Sequence, residues 1–344
     1  MSQIVKIKTS ASLTILALSA MAAPVFADTL DEVLERGHVE CGVSTGSSPG
    51  FAFLNEDNVI EGIGADTCRI VASAIFGDPS KVVFSPLENK ERFTALQAGE
   101  IDMLARTTTW TLSRDVGLAF DFAAVNFYDG QGFIVRADLG VSSALELDGA
   151  TICTTSGTTS ELNIRDYFTA NDMSFNPVVY EKSSETRTSF FAGRCDAFSS
   201  DASWIAGLRI QAENPDDYVV LPEIISKEPL GMVVRHGDSR WKDVVSWAYY
   251  AAVEAEELGI TSENIDQILA DNKNPAIARF LGQDGDLGEQ LGVPADYAYQ
   301  VIKNVGNYGE IFERTVGKDS PLNLERGMNA LWSDGGMQYA PPAR

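Results

Sequence analysis

Twice in succession, short strand-like apolar runs alternate with stretches of helical periodicity. Residues 38–44 read as a strand, residues 65–76 as a helix with Ile70, Val71, Ala74 and Ile75 on one face, and residues 81–84 as a second strand. A helix follows over 88–98, carrying Phe93 and Leu96 and ended by Gly99, then a strand over 101–104. The second round runs strand 151–155, a helix through Leu162 and Phe168, strand 177–180, helix 184–192, strand 196–199 and a helix from Ala202 to about 212. That order predicts two small α/β lobes, each a mostly parallel sheet flanked by helices. Such sheets bind ligands at the carboxyl ends of their strands, so the two lobes should meet at a cleft.

Extended segments at 131–135 and 231–235 are the expected linkers between the lobes. A long helix bearing Trp241, Val244, Val245 and Ala248 follows, and from about 260 the chain reads as several short helices, with Pro294 in the first turn of one. At 344 residues there is room for two domains.

Charge narrows the partners. With 49 acidic against 26 basic side chains the net charge is −23, a surface that repels nucleic acid and anionic membranes. Only two histidines, His38 and His236, are present, so no His-rich metal cluster or cofactor site is expected. Residues 1–27 combine Lys6 and Lys8, an apolar run over 13–21 and a Val25-Phe26-Ala27 end, the pattern of a cleaved secretory signal peptide. Export implies an oxidising compartment. Four cysteines without zinc spacing then allow three connectivities. Cys41 with Cys68 and Cys153 with Cys195 are the pairs that stay within one lobe.

Gly42-Val43-Ser44-Thr45-Gly46 matches the nucleophile-elbow pattern, but that motif needs a helix directly after the serine, and Ser47-Ser48-Pro49-Gly50 forbids one. His38 lies on the same strand and cannot fold back onto Ser44. Gly62-Ile63-Gly64-Ala65-Asp66 lacks the third glycine of a dinucleotide site.

Three other places carry binding chemistry. Thr107-Thr108-Thr109, followed by Arg114, sets hydroxyls and a planar guanidinium at a strand's end, a set that suits one carboxylate. Ser156-Gly157-Thr158-Thr159 opens a helix after a strand, which makes either an anion site or an ordinary N-cap. Asp201, between a strand and a helix, is either an N-cap or the partner of an ammonium. Together they complement a zwitterion, an α-carboxylate beside an α-ammonium.

With Leu96-Gln97-Ala98-Gly99-Glu100-Ile101-Asp102, Gly193-Arg194-Cys195-Asp196, Gly306-Asn307-Tyr308-Gly309-Glu310 and the Leu331-Trp332…Gly335-Gly336 end, these motifs appear in an order that resembles the periplasmic substrate-binding proteins of amino-acid ABC importers. The general L-amino-acid binding subfamily, serving glutamate, glutamine, aspartate and asparagine, is the nearest. The resemblance implies a type II two-lobed fold, with residues 28–135 and 231–344 in one lobe, 136–230 in the other, and a two-strand hinge at 131–135 and 231–235. It implies that Arg114 grips the ligand carboxylate with help from Thr109 and Thr159, while Thr107 and Asp201 hold the ammonium. Thr158 completes the second anion turn. Two departures stand out: Gly64 replaces the family's usual Asp, and Asn89, with Arg92 nearby, stands where many relatives have an aromatic lid. Phe51 is then expected to supply part of an aromatic sandwich, and Arg92 or Arg106 to read the ligand side chain. The implied protein is a periplasmic monomer that delivers its ligand to a membrane permease. The same fold also serves periplasmic dehydratases and extracytoplasmic sensor modules.

Overall fold

The computed structural model describes residues 28–45 and 47–344. The expected leader, 1–27, lies outside them. Asp28 caps the helix Thr29–Arg36 by accepting from the Asp31 N–H, and Gly37 ends it in the left-handed conformation at φ 81°.

One nine-stranded sheet runs through both lobes. Its hydrogen-bonded order is Val82–Pro86, Val39–Val43, Met103–Thr109, Ser226–Arg235, Phe120–Arg136, Ala197–Asp201, Thr151–Thr155 and Asn176–Tyr180, with Tyr218–Val220 beside Phe120–Arg136. The expected parallel sets are both present: Val39–Val43 pairs parallel with the strands on either side, as does Thr151–Thr155. The two long strands join them antiparallel. Each expected linker is therefore part of a longer strand, with 131–135 the far half of Phe120–Arg136 and 231–235 the far half of Ser226–Arg235. At Gly231 the register shifts, and a Cβ there would meet the Ala124 carbonyl oxygen at 2.7 Å. Only glycine lets the two strands come this close.

The apolar cores separate along these strands. Phe120, Phe122 and Phe127 join the cores that hold Trp241 and Leu104, whereas Phe133, Ile134 and Val135 join those built from Phe168 and Phe190. Cys41–Cys68 and Cys153–Cys195 are bonded as expected, one pair within each set of cores.

The region beyond 260 forms short helices, among them Pro275–Phe280, Tyr297–Asn304 and Tyr308–Thr315. Pro294 is not in the first turn of a helix. It lies in the loop before Tyr297–Asn304, where its carbonyl accepts from the Tyr297 N–H, and Pro275 holds a first-turn position instead. Further on, Asn329 brackets the peptide of Tyr128: Oδ1 accepts from the N–H at 2.7 Å and Nδ2 donates to the carbonyl at 3.0 Å. Tyr128 lies opposite Pro229 between the long strands, so the C-terminal segment braces the crossing point.

Candidate ligand-binding site

A cavity of about 50 Å³ lies where the strand ends of the two lobes face each other. An ordered water needs roughly 10–15 Å³, so the space suits a small polar molecule. Arg114, Thr107, Thr109, Thr158, Thr159, Asp201 and Arg92 all line it, as does Arg106.

Three buried arginines share the first lobe's wall, and their partners distinguish them. Arg114 follows the strand Met103–Thr109 on a single helical turn, is 7% exposed, and donates from Nη1 to the Thr109 carbonyl at 2.9 Å. Burial lowers its pKa, while Glu228 and Asp201 oppose that shift. Arg106 is committed to the protein, donating from Nε to the Leu87 carbonyl at 2.8 Å and from Nη1 to Asn89 Oδ1 at 2.7 Å. Burial pushes its pKa down to about 10. Arg92, 2% exposed, has its guanidinium 4.7 Å from the Phe93 ring centre, and its buried Nε has no partner among the described residues. Burial, Arg106 and Arg114 all lower its pKa, and Asp201 opposes them.

The second lobe supplies a helix start and an acid. Gly157, at φ 75°, turns the chain so that Thr158 caps the helix Thr159–Ala170, accepting from the Glu161 N–H and donating to the Thr155 carbonyl. The ordinary capping role therefore belongs to Thr158. Asp201 occupies the cap position of the helix Ala202–Ile210, yet its side chain caps nothing. Asp129 instead accepts from the N–H and hydroxyl of Ser203. The Asp201 carboxylate is left facing the cavity. Its pKa is raised well above the usual range by burial and by Asp129 and Glu228, against Arg92 and Arg114.

Phe51 does not reach the site. It is 4% exposed in the first lobe's core, its ring 5.1 Å from that of Phe127. The backbone of Gly62 and Gly64 packs directly on its carbonyl, which holds the residue under the helix Ile63–Phe76. The aromatic rings at the cavity are Phe198 and Trp204, stacked with centroids 5.0 Å apart. Trp204 follows Asp201 by three residues, the spacing that puts two side chains on one helical face, and this signal was open to sequence reasoning. Ser44 lines the cavity without a histidine: His38 bonds Glu40 at 2.9 Å and His236 bonds Asp121 at 3.0 Å, and neither ring is at the cavity.

Sequence reasoning also missed Glu228. At 2% exposure it accepts from Thr109 Oγ1 at 2.5 Å, Thr159 Oγ1 at 3.0 Å, Asn163 Nδ2 at 2.8 Å and Ser226 Oγ at 2.6 Å. Around the rim, Asn89 Nδ2 donates to Ser183 Oγ at 3.2 Å and Trp204 Nε1 to Ser48 Oγ at 3.3 Å. Both bonds cross between lobes, so the arrangement is a closed one.

Residues 40–265 match the bacterial extracellular solute-binding proteins, family 3. The chain is 54% identical over 332 residues to the general L-amino acid-binding periplasmic protein of Rhizobium johnstonii, covering 96% of each. It is 50% identical over 338 residues to the glutamate/glutamine/aspartate/asparagine-binding protein of Rhodobacter capsulatus, covering 98% of this chain and all of that one. A periplasmic binding protein of an ABC transporter from Brucella ovis, solved with glutathione bound, is similar at TM-score 0.90 and 53% identity, covering 92% of this chain and 100% of that one.

Proposed function

The chain belongs to family 3 of the bacterial extracellular solute-binding proteins, and on that premise we propose that it captures L-amino acids in the interlobe cleft and delivers them to an ABC permease. The observation that carries this reading is the pairing of Arg114 with the uncapped Asp201 across one buried cavity. A guanidinium on one wall and a carboxylate on the other match the two ends of a zwitterion.

In this reading Arg114 holds the α-carboxylate in the fork of its guanidinium, and the free N–H groups at the start of Thr159–Ala170 face the same charge. Asp201 holds the α-ammonium, with Thr107 beside it. Arg92 reads the ligand side chain in preference to Arg106, because its buried Nε has no partner among the described residues, whereas Arg106 is already oriented by two of its five N–H groups, held by Leu87 and Asn89. A buried cation whose Nε has no partner among the described residues favours glutamate, aspartate and their amides. The lobes, 28–135 with 231–344 and 136–230, close by bending the paired long strands, a ligand-driven shift between open and closed forms. Micromolar binding needs only about 8 kcal/mol, within reach of a few charge-assisted hydrogen bonds of roughly 1.5–3 kcal/mol each.

The reading includes removal of residues 1–27 on export to the periplasm, action as a monomer, and binding without turnover. Neither histidine is near the cavity to move a proton. A thermal-shift screen against the twenty amino acids and glutathione, with mass spectrometry of co-purified ligand, tests it. Glutathione belongs in the panel because its γ-glutamyl head carries the same zwitterion. Stabilisation by acidic and amide amino acids is expected. A chain that no amino acid stabilises, or that chemically alters its ligand, overturns the assignment.

A further inference from the structure

We propose that Glu228, on the hinge strand and outside the cavity lining, sets the amine selectivity of the site by taking the hydroxyl hydrogen of Thr109. The inference rests on the amino-acid reading above and goes beyond it by naming a positioning residue. Glu228 Oε2 accepts from Thr109 Oγ1 of the first lobe at 2.5 Å and from Thr159 Oγ1 of the second at 3.0 Å. A hydroxyl has one hydrogen, and a carboxylate can only accept. Once Thr109 has donated to Glu228, its oxygen presents lone pairs alone to the cavity it lines. Lone pairs repel a ligand carboxylate and accept from an ammonium. Thr109 therefore reads the amine beside Asp201, rather than helping Arg114 with the acid.

The direction of that bond is fixed from behind. Ser199 Oγ takes a hydrogen from Gln131 Nε2 at 2.8 Å, which turns Gln131 Oε1 toward Asn163. Asn163 Nδ2 then donates to Gln131 Oε1 at 2.9 Å and to Glu228 Oε1 at 2.8 Å. Oε1 of residue 228 accepts from Asn163 and from Ser226 Oγ, and the other oxygen is left for the hydroxyls of Thr109 and Thr159. Thr109 belongs to the first lobe, and Asn163 and Thr159 to the second, so the set joins the two lobes through Glu228.

Substitution Glu228→Gln inverts the arrangement without changing its shape. Its amide oxygen must face Asn163, so its NH2 points at Thr109 and Thr159 and donates to them. The Thr109 hydrogen is then free to turn into the cavity, where it favours a carboxylate and opposes an ammonium. Thr109→Val removes the acceptor with little change in volume.

Titration calorimetry of both variants and the wild-type chain compares L-glutamate with glutarate, the same dicarboxylate without the amine, the weaker ligand being read by displacement. The ratio of the two affinities is expected to fall at least about tenfold in each variant, the worth of a hydrogen bond to a charged group. A ratio unchanged in folded Glu228→Gln overturns the inference, as does equal loss of both ligands in Thr109→Val. Thermal melts establish folding, and if Glu228→Gln does not fold, Glu228→Asp, which keeps the charge but draws the carboxylate back from Thr109, takes its place with the same fall in the ratio expected and an unchanged ratio overturning the inference. A wild-type chain that binds no amino acid sinks the functional reading instead, a distinguishable result.

Discussion

Lys90 Nζ lies 2.8 Å from both carboxylate oxygens of Glu181, and this ion pair spans the two lobes at the mouth of the cleft. Its side chains are 53% and 68% exposed, so solvent screens the attraction and such a pair contributes about 0–1 kcal/mol. Lys90→Ala should therefore weaken ligand binding less than about fivefold, with the difference fading as salt rises. Titrations at low and high salt check this. A loss approaching a hundredfold would mean that the rim, rather than the cavity, holds the closed form.

Arg114 is buried and lines the cavity, where the proposed function has it hold the ligand carboxylate. Arg114→Ala would strand the ligand carboxylate in a site that excludes water, at a cost of about 2–5 kcal/mol in binding. Calorimetry with the best ligand of the amino-acid screen measures it. Unchanged affinity would remove Arg114 from the site.

In the proposed reading Arg92 trades stability for recognition, because its buried Nε has no partner among the described residues. Arg92→Met, similar in length and uncharged, should raise the chain's resistance to urea by about 1 kcal/mol or more. It should also weaken L-glutamate at least about tenfold while sparing L-alanine. Loss of stability, or equal weakening of both amino acids, would contradict a side-chain-reading role.

Asp129 gives the fold a pH dependence of definite sign. Burial raises its carboxyl from 3.8 to about 6, and Glu228 adds to the rise, while bonds from Ser203 and Gly130 oppose it. Between these values the folded chain keeps a proton that the unfolded chain has released. The contribution of this group to stability is full below about pH 4 and is lost as pH rises through about 6. Asp129→Asn should flatten the pH profile of urea midpoints over that range relative to wild type. A variant that keeps the wild-type slope would show that another group titrates there.

That Arg114, Thr107 and Asp201 line one cavity was legible in the sequence because each lies at a strand's end or in the turn just after it, where local pattern fixes position. The two rounds of strand and helix were legible for the same reason. Phe120–Arg136 was recognised only in its second half. Its first half is buried at Phe122, Ala123 and Ala124 in succession, so it shows no alternation of apolar and polar residues. Phe51 was misplaced because nothing local separates a cleft aromatic from a core one; the glycines that back it stand more than ten residues away. Glu228 left no local trace. Its bonds to Thr109 and Thr159 span 119 and 69 residues, and only the assembled sheet brings them together.

The bracket that Asn329 places around the Tyr128 peptide changes what the end of the chain is for. A strand crossing between lobes would otherwise expose an N–H and a carbonyl at the point where it must flex, each free to exchange partners with water. Held by one side chain on both of its flanking peptides, Tyr128 is a fixed point on the strand that joins the two sets of cores, and that point is set by a residue some two hundred positions further along the chain. Loss of the C-terminal segment would then blur the trajectory of closure while leaving the arginines and the acid of the cleft in place.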